Sequence, residues 1–242
     1  MMPELPDQAA PALHLVRHGQ SSWNVDGVVQ GQNDEATLTD LGLSQATAAA
    51  DLLAGSASSR LLTSDLRRAV QTAEIIGTAT DLTPVPTSLL REQGLGVLEG
   101  LTSDLAAVEW DRAAQRAFEH YGEPIPATAV RVEGGESLRD VLGRVGGILA
   151  SPWVTDSTGD VILVSHGDTI RVMLAHLLGD DFDELEWRPV ANGEIHSVYR
   201  ATDGSIRHVV TPFPGSAPAP GSAPAPGSAP APGRTDTPGR TP

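Results

Sequence analysis

A chain of 242 residues can bury one good core, while a second domain would be cramped. It has no cysteine, and its 16 basic side chains are all arginine, which excludes disulfides, thiolate metal sites, cysteine nucleophiles, Schiff-base lysines and the phosphate lysine of a Walker loop. The net charge of −15 argues against nucleic acid and anionic membranes as partners, but not against a small anion held by the local field of a pocket.

Residues 1–11 are rich in Pro and Ala and read as a flexible lead-in. They lack the basic and apolar regions of a secretory signal, and no apolar run approaches a membrane span, so the expected compartment is the cytoplasm. Ala12–Val16 is an apolar run fit for a buried strand, and it stops at Arg17-His18-Gly19. Ser21–Glu35 has no helical period and reads as a loop held by Trp23. Thr39 is placed to cap a helix with Leu43, Ala46, Ala50 and Leu53 on one face, stopped by Gly55. Arg60–Thr63 reads as a strand, with Ser64-Asp65 capping a helix that ends at Gly77. Pro84–Thr87 fits an edge strand, and Leu89-Leu90-Arg91-Glu92 leads into a loop punctuated by Gly94, Gly96 and Gly100.

Thr102–Tyr121 reads as helical, and Gly122–Val132 as a connection. Ser137 caps a clearer helix carrying Leu138, Val141, Leu142, Val145 and Ile148. Asp160–Ser165 is the best buried strand and, like the first, ends in a histidine and a glycine, His166-Gly167. Asp168 is expected to cap the next helix, which stops at Gly179. Ile195–Arg200 and Ile206–Val210 form a closing hairpin. The expected fold is α/β, a three-layer α/β/α domain over residues 12–212 with a mainly parallel central sheet and an antiparallel edge. From Pro214 the unit Pro-Gly-Ser-Ala-Pro-Ala occurs three times, so residues 213–242 are expected to be a disordered tail.

In open α/β sheets the chemistry lies past the carboxyl ends of the strands. There the topology gathers Arg17 and His18, Arg68, Glu92 and His166: two planar forks for a tetrahedral oxyanion, two imidazoles and a proton source. Arg67 competes with Arg68, and Glu99 with Glu92. His166-Gly167-Asp168 has no further ligands to suggest a metal site, and no cofactor is expected. His14, His120, His176, His196 and His208 are assigned to packing or surface, and the acidic run 180–184 to a solvated face.

The segment Leu15-Val16-Arg17-His18-Gly19-Gln20-Ser21-Ser22-Trp23-Asn24 resembles the signature of the histidine phosphatase family, in its phosphoglycerate-mutase-like branch. The likeness continues in order through Gln30-Gly31, Leu38-Thr39-Asp40-Leu41-Gly42, Ser64-Asp65-Leu66-Arg67-Arg68-Ala69-Val70-Gln71-Thr72-Ala73, Leu90-Arg91-Glu92, Gly134-Gly135-Glu136-Ser137 with Arg144, and Val164-Ser165-His166-Gly167. The resemblance implies a phosphoglycerate-mutase-like fold. It makes His18 the residue phosphorylated in a covalent intermediate, has Arg17, Arg68 and His166 cradle the phosphoryl group with Asn24 on its rim, and makes Glu92 the general acid and base. It picks Arg68 over Arg67 by spacing. The implied activity is metal-independent hydrolysis of a small phosphorylated metabolite, with Ala106–Val132 lidding the pocket.

Family mutases hold a second phosphate with a lysine, an arginine pair and a tyrosine after the acid. This chain has Gln93-Gly94-Leu95 there and no lysine, which favours a phosphatase, of the kind of small cofactor-independent and glucosyl-3-phosphoglycerate phosphatases. Mutase-type transfer and a non-hydrolytic phosphate-binding scaffold are the alternatives. Substrate and oligomeric state, dimer included, stay open. The reading requires His18 and His166 to reach one common anion.

Overall fold

The computed structural model describes residues 11–185 and 187–213. The expected lead-in and tail fall outside the described residues, save for Pro11 and Phe213. Six strands form one sheet: β1 (Leu13–Arg17), β2 (Ser58–Ser64), β3 (Val85–Thr87), β4 (Asp160–Ser165), β5 (Ile195–Arg200) and β6 (Ile206–Thr211), in the order β3-β2-β4-β1-β5-β6. β3, β2, β4 and β1 run parallel, and β5 and β6 add the antiparallel edge. The Pro86-containing strand lies at the sheet margin, where a missing N–H costs no ladder bond.

Alternation along the strands sorts the core into two layers. Leu15, Leu62, Val161 and Leu163 face one side, packing on α5 (Leu138–Leu149) and α7 (Gly167–Leu178), with Val154 of the short α6 (Pro152–Thr155) against the same cluster. Val16, Leu61, Ile162 and Val164 face the other, against α2 (Asp40–Leu53) and α3 (Arg67–Thr80). A third apolar cluster joins Ala106, Trp110 and Ala113 of α4 (Ser103–Tyr121) to Leu98, Val130 and Val132, so the expected lid segment carries a small core of its own. His14 is buried within the sheet, its Nδ1 2.8 Å from Ser197 Oγ and its Nε2 3.3 Å from Asp160.

The local readings need five corrections. Ser22–Asp26 is a helix, α1, too short to show a period; Ser21 and Asn24 form a capping box at its start. Leu43 is 42% exposed, and α2 buries Gly42, Gln45, Ala46, Ala49, Ala50 and Leu53 instead. α3 begins at Arg67 with Leu66 as its cap, because Ser64 turns to His166 and Asp65 to Arg91. It runs past Gly77 to Thr80; Gly77 is needed for close approach, since a Cβ there would lie 2.5 Å from Leu82 O. Finally, His166 is the N-cap of α7 and Asp168 sits in its first turn, bonded to Arg171.

What positions the site is register. β1 pairs with β4 from Leu13↔Val161 to Arg17↔Ser165, and β2 with β4 up to Thr63↔Val164. Parallel neighbours in this register finish together, which puts His18, His166 and Ser64 at one sheet edge.

Candidate active site

His18 is 2% exposed, and its Nδ1 lies 2.7 Å from the Gly19 carbonyl oxygen. A carbonyl can only accept, so Nδ1 carries the proton and the neutral ring keeps its lone pair on Nε2. Burial first, then the charges of Arg68 and Arg17, push the imidazolium well below the ordinary histidine range, so the ring is neutral at physiological pH. The Gly19 carbonyl is itself held: a Cβ on Gly19 would sit 2.2 Å from Gly42 O, so the loop after β1 lies hard against the first turn of α2. The Gly19 N–H donates to Thr72 Oγ1 at 3.1 Å, and Asn192 Nδ2 donates to His18 O at 3.0 Å.

His166 is fully buried, with its ring centroid 5.0 Å from that of His18, close enough for both to meet one tetrahedral anion. Its Nε2 hydrogen bonds Ser64 Oγ at 2.8 Å and its Nδ1 has no partner among the described residues. Burial, Arg68 and His18 hold it neutral too.

Arg68 is fully buried and Arg67 exposed, so the structure separates the two candidates. Arg68 donates from Nη1 to Asn33 O (2.9 Å) and from Nη2 to Gly31 O (2.8 Å), which fixes the plane of its fork. Burial lowers it to about 10, still charged at neutral pH. Arg17 donates from Nη1 to Val190 O at 2.5 Å. Among the described residues the buried Nε atoms of both arginines have no acceptor, and His166 Nδ1 has no partner. A buried polar group left unpaired costs about 1–3 kcal/mol, and a seated oxyanion is a partner that would meet such donors. Asn24 lies beside this edge; its Oδ1 accepts from Ser21 and from Asn192 Nδ2 (3.3 Å).

Glu92 is partly buried behind a short 3₁₀ turn (Ser88–Leu90). Its Oε1 accepts from Gln93 N (3.0 Å), Thr169 N (3.2 Å) and Thr169 Oγ1 (3.3 Å), and its Oε2 from Asp168 N (3.4 Å). Burial, then the Asp168 carboxylate, raise its proton affinity, against the opposing pull of Gln93 N–H, Arg17 and Arg68. Glu99, the competing carboxylate, instead accepts from Gln32 N and Leu95 N at 2.9 Å and braces the turn at Gly31.

Sequence reasoning gave no role to the wiring behind Glu92. Arg144 donates to Leu89 O (2.9 Å), Glu92 O (2.9 Å) and both oxygens of Glu136, while Glu136 accepts from Gly94 N (2.8 Å) and Gln32 Nε2 (3.2 Å). Glu136 and Arg144 stood out only as parts of a motif, Ser64 only as a motif residue and expected cap, and Thr169 and Asn192 gave no local signal. Arg144→Gln should let the 89–92 segment shift and lower kcat by about 10²-fold, the scale of a 1 Å misplacement, with KM little changed. Steady-state kinetics on an alkyl phosphate check this; an unchanged kcat would leave Arg144 a purely structural tie.

Among the described residues no group of three or more His, Asp or Glu is arranged to hold a metal ion. Residues 13–210 match the family described as Histidine phosphatase superfamily (branch 1). A Yersinia pestis protein named probable phosphoglycerate mutase GpmB is 34% identical over 170 residues, covering 69% of this chain and 74% of that protein. The structure of a mycobacterial glucosyl-3-phosphoglycerate phosphatase in complex with VO3 superposes with TM-score 0.66 at 31% identity, over 86% of this chain and all of that one. One titled Mycobacterial hydrolase 1 gives TM-score 0.70 at 30% identity over the same shares.

Proposed function

This chain belongs to the histidine phosphatase superfamily, branch 1, and from that premise we propose that it hydrolyses a small phosphorylated metabolite through a phosphohistidine on His18, without a metal ion. The observation that carries the reading is the neutral His18 with a free Nε2 lone pair, beside buried polar atoms of Arg17, Arg68 and His166 that have no partner among the described residues.

In the first step His18 Nε2 attacks phosphorus, and the bond to the ester oxygen breaks. Protonated Glu92 passes its proton to that oxygen, releasing the alcohol and leaving a carboxylate. In the second step the Glu92 carboxylate takes a proton from water, whose oxygen attacks phosphorus as the P–N bond breaks. Phosphate leaves, and His18 and Glu92 return to their starting forms. Arg17, Arg68 and His166 stabilise the equatorial oxygens in both steps, and Asn24 offers its amide nitrogen at the rim.

Hydrolysis of p-nitrophenyl phosphate should persist in excess chelator, measured by released nitrophenolate. Loss of activity that returns only with a divalent cation would overturn the metal-free mechanism.

The mutase reading draws on the name of the Yersinia relative. Against it, Gln93 is buried and spends its amide on Glu136 O at 2.7 Å, so the residue after the acid offers no hand to a second phosphate. With bisphosphoglycerate added, phosphoglycerate isomerisation should stay well below hydrolysis; comparable turnover would reverse the assignment. A screen of phosphorylated metabolites, glucosyl-3-phosphoglycerate among them, addresses which alcohol leaves. No helix among the described residues is long and apolar enough to cross a membrane, and cytoplasm remains the proposed compartment, with a small phosphate ester and no nucleic acid or membrane as partner.

A further inference from the structure

Two imidazoles stand 5.0 Å apart at this sheet edge, and their hydrogen-bond partners differ in kind. His18 meets a carbonyl at Nδ1, which can only accept, so its ring keeps a lone pair on Nε2. His166 meets a hydroxyl at Nε2, Ser64 Oγ at 2.8 Å, and a hydroxyl can donate or accept. Which of the two it does decides whether His166 Nδ1 presents a proton or a lone pair. The strand order gives the direction of that nitrogen. β4 lies between β2 and β1, and the ring at its end has Nε2 tied to Ser64, the last residue of β2. Nδ1 diverges from Nε2 across the ring, toward the end of β1 where Arg17 and His18 stand.

Ser64 is fully buried, and its oxygen is already engaged on one side. The Leu66 N–H donates to Oγ at 3.3 Å across the turn into α3, taking one of its lone pairs. Among the described residues His166 Nε2 is the other partner of that oxygen. Two proton arrangements are then possible. If Nε2 carried the proton and donated to Oγ, the hydroxyl hydrogen would be buried with no acceptor among the described residues. Nδ1 would also turn a lone pair on an incoming oxyanion. If the hydroxyl donates to a bare Nε2, the hydroxyl hydrogen is satisfied and the ring's one N–H, at Nδ1, is left for the anion. The first arrangement strands a donor and repels the phosphoryl group; the second does neither. No carboxylate bonds His166 among the described residues, and burial with Arg68 nearby keeps the ring neutral, so there is one proton to place on it.

We propose that Ser64 is a positioning residue for phosphoryl transfer: its hydroxyl, held by the Leu66 N–H, donates to His166 Nε2 and so fixes the tautomer that presents Nδ1–H to the phosphoryl oxygens. This rests on the reading of His166 as a donor to the phosphoryl group. The two histidines are thereby put to opposite uses. A carbonyl keeps one basic toward phosphorus, and a hydroxyl keeps the other a donor. Ser64 lies four residues before Arg68, so one short segment supplies the guanidinium fork and sets the imidazole donor beside it. The proton is in place before substrate arrives, so no reorganisation is needed as charge develops on the equatorial oxygens.

The test reads the tautomer directly. In full-length protein isotope-labelled on the histidine ring nitrogens, the His166 signals are those lost in His166→Gln. They should show a pyrrole-type Nδ1 and a pyridine-type Nε2, and inorganic phosphate should move Nδ1 more than Nε2. A pyridine-type Nδ1 in the wild-type protein, or an Nδ1 signal indifferent to bound phosphate, would overturn the proposal. Ser64→Ala should give a mixture of tautomers and lower kcat on p-nitrophenyl phosphate about tenfold. That falls short of the about 10²–10³-fold of deleting an oxyanion donor, because the free ring still samples the productive tautomer. Ser64→Thr keeps the hydroxyl and should restore the wild-type nitrogen signals and most of the rate. A merely structural role would leave the tautomer pure in Ser64→Ala whatever the rate, a result that also overturns the proposal. Should Ser64→Ala not fold, the wild-type spectrum and its phosphate response decide alone. If the wild-type chain hydrolyses no ester, the phosphatase reading fails, while the spectrum still judges Ser64.

Discussion

Replacing His18 with alanine should abolish hydrolysis, by about 10⁴-fold or more, since removing a nucleophile that works as part of a unit costs nearly everything the unit supplies. The substitution is clean for a structural reason. The imidazole's one protein hydrogen bond among the described residues is to the neighbouring Gly19 carbonyl. That peptide is independently held by the Gln20 N–H donating to Gln45 Oε1 at 2.7 Å, and Gly19 itself by Thr72 and by its packing on Gly42. The loop after β1 should therefore survive, and inorganic phosphate should still bind through Arg17, Arg68 and His166. The second readout is chemical: brief incubation of wild-type protein with labelled substrate, quenched in base, should trap label on a histidine, because a phosphoramidate survives alkali and is lost in acid. The alanine variant should trap none. Activity remaining in that variant, or an acid-stable label in the wild type, would mean the nucleophile lies elsewhere.

Glu92→Gln should lower kcat/KM on an alkyl phosphate by about 10²–10⁴-fold, the usual contribution of a placed general acid. The loss should be much smaller for the first step on p-nitrophenyl phosphate. The same variant lacks the base that activates water, so its second step slows whatever the leaving group. The expected signature is a burst of about one nitrophenolate per active site, followed by slow turnover and accumulation of phosphoenzyme. Equal losses on both esters without a burst would fit a residue that only shapes the pocket. Glutamine keeps the length of the side chain, and its carbonyl oxygen in the Oε1 place still accepts from the N–H groups of Gln93 and Thr169, so only the long 3.4 Å bond from Asp168 N is lost.

The strands, the sheet type and the two histidine-bearing strand ends were legible in the amino-acid order because each is written locally. An apolar run such as Val161–Val164 reads as buried on both faces, and a run that halts at His-Gly marks the carboxyl end of a strand. Arg68 was separable from Arg67 only through its neighbours in a motif; burial then gave the physical content of that spacing. α1 escaped notice because five residues hold too little periodicity to read, and Gly77 and Asp168 were misjudged because a glycine can serve contact as well as termination, and an acidic residue a first turn as well as a cap.

Tertiary structure alone decided the rest. The 5.0 Å between the two imidazole rings is set by the register of β1 on β4, across nearly 150 residues of chain. The carbonyls that aim Arg68 and the Arg144 contacts to Leu89 O and Glu92 O join segments that no period or spacing relates. Side-chain type and hydrophobic rhythm are properties of neighbours along the chain, so the sequence carries them openly. Proton affinity and the aim of a donor depend on which distant charges and carbonyls packing brings within a few ångströms, and only the folded chain brings them there.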